Sequence, residues 1–313
     1  MSIPLIYAKA AFNKEQMDAK VAAGTDGIEL QLVDEMLTRT EDGRRKWRLA
    51  SAVYDINNLI TYPVSAVHAP MISGMGDMTL ENMLDSEDVI VLNEMFRIAD
   101  AYAQQQDKVI TLIIHLESYV SSMLDVGGVY YRMLTTLDSL LNNYTNVRVG
   151  IENVIPCRSI GLNTNLHLSN NFGFDNIELV ANLRTDLKTD RVGTILDTCH
   201  AMITFKYVQA ICDVLGNDLA KEYTIDKFFE KNREFCYHIH FAGMQGSGYG
   251  GINHGTPFTD QNKSVAYGLL KLYEKFNYDC PLCLEVFEPD GHIESTGYKL
   301  TKKVVEDYFN TTK

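Results

Sequence analysis

Basic residues are scarce in this chain: 28 Lys and Arg stand against 41 Asp and Glu in 313 residues, a formal net charge of −13. A non-specific polyanion binder gains from a broad basic surface, so the balance disfavours that class. Long hydrophobic runs are missing too. No stretch approaches the ~20 apolar residues needed to span a bilayer, and Met1-Ser2-Ile3-Pro4 lacks the charged and apolar regions of a secretory leader, so no membrane partner is expected. Six cysteines in a chain this long do not make a disulfide framework, and Cys199, Cys236 and Cys283 sit in apolar runs, so a cytoplasmic protein with reduced thiols is expected. Cys280-Pro281-Leu282-Cys283 has a redox-type spacing but opens a strand rather than a helix, and reads as two unrelated cysteines. No repeat array, composition break or Gly/Ser linker divides the chain.

What is present is an alternation. Short runs rich in Val and Ile predict strands over Leu5–Ala8, Gly27–Leu30, Ser65–Ala69, Val109–His115, Val147–Asn153, Val192–Thr198, Cys236–Phe241 and Leu282–Phe287. Helix-period segments fall between them: Lys14–Ala23, a long one over Glu35–Ile60 with a solvated Arg44-Arg45-Lys46, and Thr79–Gln106 capped by Asp77 with Leu80, Met83, Ile90, Leu92 and Phe96 as core. Val126–Asn143, Asn176–Leu187, Tyr207–Leu215 with Ile225–Asn232, Asp260–Phe276 and Gly297–Phe309 complete the series. Strands apolar throughout suit a parallel sheet covered on both faces. Eight strand–helix units predict a (β/α)8 TIM barrel occupying 1–313 as a single domain. A doubly wound open sheet would bind mainly at one crevice. Here polar residues close several different strands, and only a barrel brings those strand ends to one mouth.

The polar endings share a chemistry. His68, His115, Glu152 with Asn153, Asp197 with His200, the pair His238 and His240, and Glu285 stand at successive strand ends, and His254 follows strand seven in a loop that begins with the glycine-rich Gly246–Gly251. A lone strand-end histidine is usually structural; a ring of them with carboxylates is a ligand set. Mixed nitrogen and oxygen donors suit zinc or manganese, and after them cobalt, better than magnesium or calcium. His238 and His240 share the barrel interior by the two-residue strand period. His240, nearer the mouth, is expected to be the ligand and His238 a hydrogen-bond partner behind it. Glu152 and Glu285 come from opposed strands, where two metal-bound carboxylates can move a proton between two faces of a carbon or between neighbouring carbons. Arg158 and Lys206, after strands five and six, are placed to bind an anionic substrate group such as a sugar phosphate. The 246–251 loop is expected to move over bound substrate.

His-Ala-Pro at 68–70, His115, Gly-Ile-Glu-Asn at 150–153, Leu-Asp-Thr-Cys-His at 196–200, His-Ile-His at 238–240 and Leu-Glu at 284–285 resemble the xylose isomerase-like TIM-barrel superfamily over nearly the whole chain. That superfamily holds sugar and sugar-phosphate isomerases, ketose epimerases and the endonuclease IV type of abasic-site nuclease. Resemblance to the sugar enzymes implies a metal tetrad of Glu152, Asp197, His240 and Glu285, with Glu152 and Glu285 also the catalytic acid/base groups and a small carbohydrate as substrate; a homo-oligomer is compatible with this. Resemblance to the nuclease branch implies up to three zincs, recruiting His68, His115, His200 and His254 as well, with nucleic acid as partner. The chain departs from the nuclease pattern at Ile252-Asn253-His254, where an Asp-x-His is expected, and at Phe241-Ala242-Gly243 after His240. It also lacks the arginine of the epimerase loop. An isomerase or epimerase is the leading expectation and the nuclease the alternative, with His200 as the residue that separates them.

Overall fold

The computed structural model describes residues 2–33, 37–39, 47–49, 59–72, 76–77, 84, 89–115, 128–154, 157–159, 166–168, 174–216, 221, 223–245, 253–288 and 293–311. Eight strands form the centre: β1 (Ile6–Ala11), β2 (Gly27–Val33), β3 (Val64–Ile72), β4 (Ile110–His115), β5 (Val147–Glu152), β6 (Val192–Asp197), β7 (Cys236–His240) and β8 (Leu282–Leu284). Each pairs in parallel with the next in chain order, and β8 pairs with β1, so the sheet closes on itself. Every residue of β4 and β6 is buried, as expected of strands with helices on one side and a filled interior on the other.

Around them lie α1 (Lys14–Ala22), α2 (Val89–Gln106), α3 (Val129–Asn143), α4 (Phe174–Leu187), α5 (Thr198–Leu215), α6 (Ile225–Asn232), α7 (Lys263–Lys275) and α8 (Thr296–Thr311). One apolar layer joins Ile28, Val67, Leu112 and Val149 of the strands to Leu92, Phe96, Leu137 and Val180 of the helices. A second joins Ile6, Leu196, Ile239 and Leu282 to Phe228, Leu270 and Val305. Each such side chain contributes about 1.5–3 kcal/mol on burial. The barrel interior holds its own small cluster, Ala66, Ile113 and Ile195. Gly150 makes room for it, because a Cβ there would lie 2.6 Å from Ile195 Cδ1. The first and last helices are pinned together across the seam: Lys20 Nζ of α1 lies 2.5 Å from Glu288 Oε1, and the Glu288 carboxylate also accepts the Gly297 and Tyr298 amides that open α8.

Three expectations are corrected. The helix over 35–60 is not formed in its described parts, since Leu37–Arg39 and Trp47–Leu49 are antiparallel strands paired with each other; Arg44, Arg45 and Lys46 lie outside the described residues. Apolar spacing there mimics a helix, but Thr38 and Trp47 favour strands, and pairing between distant segments decides the outcome. Asp77, expected as a helix cap, pairs antiparallel with Met71 in a two-residue strand; residues 78–83 and 85–88 lie outside the described residues, and the described part of α2 is Val89–Gln106. Leu92 and Phe96 are core, but Ile90 is 60% exposed, on the outward side of α2; Leu80 and Met83 lie outside the described residues. No helix among the described residues is long and apolar enough to cross a membrane.

Candidate metal centre

Strand register builds the site. Glu152 ends β5 beside His115 of β4, Asp197 ends β6 beside His240 of β7, and His240 stands beside Cys283 of β8. Glu285 follows β8 directly. In a parallel barrel these ends open on the same face, so residues far apart in sequence converge.

Four side chains meet, and each holds one polar atom outward and turns one inward. Glu152 Oε2 is held by His115 Nε2 at 2.9 Å and stands 3.1 Å from His68 Nε2. Glu285 Oε1 accepts from Lys9 Nζ at 2.7 Å. Asp197 Oδ1 accepts the His200 amide at 2.5 Å, capping α5. His240 Nε2 lies 2.8 Å from Glu29 Oε2. The inward atoms are Glu152 Oε1, Asp197 Oδ2, His240 Nδ1 and Glu285 Oε2. His240 Nδ1 stands 2.8 Å from Glu285 Oε2, 3.1 Å from Glu152 Oε1 and 3.8 Å from Asp197 Oδ2. Glu152, Asp197, His240 and Glu285 offer atoms that all lie within 4.8 Å of one another.

Glu152 Oε1, His240 Nδ1 and Glu285 Oε2 are buried and none makes a hydrogen bond of acceptable geometry. Leaving such groups without a partner is costly in a dry interior. One cation at their meeting point would satisfy them together, so the donor set fits a divalent metal ion with three carboxylates and one imidazole. Electrostatics point the same way. Burial opposes ionisation of Glu152 and Glu285, yet His240 and His115 hold the first well below the usual carboxylate range, and Lys9 and His240 do so for the second. Burial likewise disfavours the His240 imidazolium, but Glu152, Glu29 and Glu285 raise its pKa well above the ordinary value. The pocket selects for positive charge.

The other expected residues are placed as follows. His68 and His115 group with Glu152 in a second set of atoms within 4.8 Å of one another. His68 Nδ1 donates to Ala69 O at 2.8 Å, so in the neutral ring Nε2 is an acceptor facing an acceptor, and that contact needs a proton or a cation between them. His200 Nδ1 donates to Asn153 O at 2.8 Å and lies 3.4 Å from Glu152 Oε1, but the residue belongs to none of the ligand groups found among the described residues. His238 Nε2 is 3.1 Å from Glu29 Oε2, the oxygen that also faces His240, and burial lowers its pKa. Lys206 is exposed, more than two turns into α5. Arg158 and His254 lie in the short strands Cys157–Ser159 and Asn253–Thr256; their side chains, and residues 246–251, are outside the described set.

Reading strand ends for ligand types missed Lys9 and Glu29, which are register partners on β1 and β2. Glu29 is fully buried, and Glu29, His240 and Cys283 form a third group within 4.8 Å. The signal was there: a charge in mid-strand, on a strand covered on its outer face, must point into the barrel. Burial opposes protonation of Lys9, but Glu285 and Glu29 raise its pKa. Asn153, of the Gly-Ile-Glu-Asn stretch, exchanges two hydrogen bonds with the Asp197 backbone and so fixes β5 against β6.

No family model matches the sequence, and no curated protein does. Solved structures do. A xylose isomerase domain protein from Planctomyces limnophilus is 11% identical with a TM-score of 0.59, covering 99% of this chain and 100% of that one. A 3-keto-D-glucoside 4-epimerase from E. coli is 12% identical with a TM-score of 0.58, covering 97% and 99%. Endonuclease IV from Thermus thermophilus is 14% identical with a TM-score of 0.53, covering 97% and 100%. At such identities the likeness is one of fold: this chain has the closed eight-stranded architecture of the xylose isomerase-like TIM barrels.

Proposed function

We propose that the chain is a divalent-metal-dependent isomerase or epimerase acting on a sugar or sugar phosphate, with Glu152, Asp197, His240 and Glu285 holding manganese, cobalt or zinc. The observation that carries this reading is the pairing of Glu152 and Glu285: each carboxylate is tied by one oxygen and turns the other towards the same point. A divalent ion bound there would polarise substrate oxygens and acidify the carbon between them. The chain's own part is proton transfer. One carboxylate removes the proton from carbon, and the other returns one to the opposite face or to the neighbouring carbon. His115 holds Glu152 in orientation, and Lys9 holds Glu285, so neither has to reorganise during transfer. The epimerase among the similar structures accords with a carbohydrate substrate.

Panels of ketoses, aldoses and their phosphates, incubated with the protein in D2O and Mn²⁺, Co²⁺ or Zn²⁺, test the reading. Solvent deuterium is expected at the carbon beside a carbonyl, and Glu152→Gln is expected to abolish it. No incorporation anywhere, with clear nicking of abasic DNA, would overturn it.

The second reading, a zinc-dependent abasic-site endonuclease, is favoured by the His68–His115–Glu152 group, which shares Glu152 with the tetrad and suits a second ion. His200, which the nuclease reading also recruits, falls in none of the groups of candidate ligand atoms within 4.8 Å of one another among the described residues, and that weighs against it.

A further inference from the structure

The tetrad's one imidazole can coordinate through either nitrogen, and something must choose. Behind His240 stands Glu29, a carboxylate with 0% exposure in the middle of β2. Its Oε2 takes both neighbouring imidazoles of β7, His240 Nε2 at 2.8 Å and His238 Nε2 at 3.1 Å. Its Oε1 faces Lys9 Nζ at 3.4 Å, and that ammonium continues to Glu285 Oε1 at 2.7 Å. The register of β1 on β2 sets Lys9 directly beside Glu29, and the two-residue period sets His238 and His240 on one face. Lys9, Glu29 and His238 therefore make a continuous layer beneath the tetrad. It touches two of the tetrad's members from behind, His240 and Glu285.

We infer that Glu29 is a positioning residue for the metal centre: by accepting the Nε2–H of His240 it fixes the ring's tautomer and orientation, so that Nδ1 is the nitrogen offered to a divalent ion. A carboxylate behind a ligating imidazole also strengthens it as a donor. Lys9 balances the added negative charge and, through Glu285, ties the opposite corner of the tetrad to the same support. Glu29 meets His240 at Nε2 and not at the inward Nδ1, so it acts through the ring. The inference rests on the tetrad binding a metal, as proposed above.

Co²⁺ titration of the full-length protein, followed by calorimetry and by the visible ligand-field bands, tests it with the metal alone. Glu29→Gln keeps the shape and removes the charge. It is expected to weaken Co²⁺ binding roughly 10–100-fold and to change the band positions, because the imidazole donor is altered and not merely loosened. Affinity and bands both equal to wild type in a folded Glu29→Gln protein would overturn the positioning role while leaving the metal reading intact. Failure of the wild type itself to take up Co²⁺ would overturn that reading and this inference with it. If Glu29→Gln does not fold, ¹⁵N-histidine spectra of the Zn²⁺-loaded wild type decide the matter. His240 is expected to be metal-bound at Nδ1 and protonated at Nε2, and the reverse assignment overturns the inference.

Discussion

At the residue scale the centre is a set of divided groups, each with one atom engaged by the protein and one left over. Asp197 shows how simply this is arranged. Its Oδ1 caps α5 through the His200 amide, a local bond any strand-to-helix junction can use, and that bond turns Oδ2 towards the other ligands. His200 sits one turn further on with its Nδ1 on Asn153 O, and unlike Asp197 it falls in none of the candidate ligand groups among the described residues. These two neighbours should therefore behave differently. Asp197→Asn is expected to lower divalent-metal affinity by at least about tenfold, because a neutral amide replaces a charged ligand. His200→Asn should change it by less than about threefold. Isothermal titration with Co²⁺ on both variants checks this, and an equal loss in each would make His200 a ligand and favour the nuclease reading.

At the element scale, legibility followed burial. The eight barrel strands were readable because both their faces are covered, which leaves a continuous apolar run ending on a polar residue; β4, β5 and β6 lie within one or two residues of their expected limits. The hairpin of Leu37–Arg39 and Trp47–Leu49 was not readable, because its partner is another strand of the same excursion and the periodicity carries no trace of it. Lys9 and Glu29 were overlooked for a related reason. A charge in mid-strand marks the barrel interior, but which groups it meets there is set by register. Packing inside the barrel is equally specific at Gly150. An added Cβ would meet Ile195 Cδ1 at 2.6 Å and Cγ1 at 2.7 Å, one residue-pair below Glu152. Gly150→Ala is expected to cost about 1–3 kcal/mol by overpacking. Combining it with Ile195→Ala should cost less than the sum of the two single changes, since one substitution vacates the space the other fills. Denaturant melts of the three variants measure the coupling; strict additivity would mean that Ile195 is not the obstacle.

At the scale of the whole molecule, the fold was legible, and the reaction stands as a proposal. Periodicity and strand endings lead to a closed parallel barrel, and the register then brings Glu152, Asp197, His240 and Glu285 to within 4.8 Å of one another. Sequence can place ligand types at a mouth, but it cannot say which of them share an ion. That turns on side-chain directions such as those of His68 and His200, which are set by single backbone carbonyls. The net charge of −13 is a property of the whole surface and argues against a polyanion partner more than it selects a substrate. We propose one divalent ion per chain, held by the tetrad. Metal analysis of the protein saturated with Zn²⁺ or Mn²⁺ and freed of excess, alongside Glu152→Gln, tests it most directly. The account predicts one ion per chain in the wild type and less than about a tenth of that in the variant, whereas two or three ions per chain in the wild type, or an undiminished count in Glu152→Gln, would contradict it.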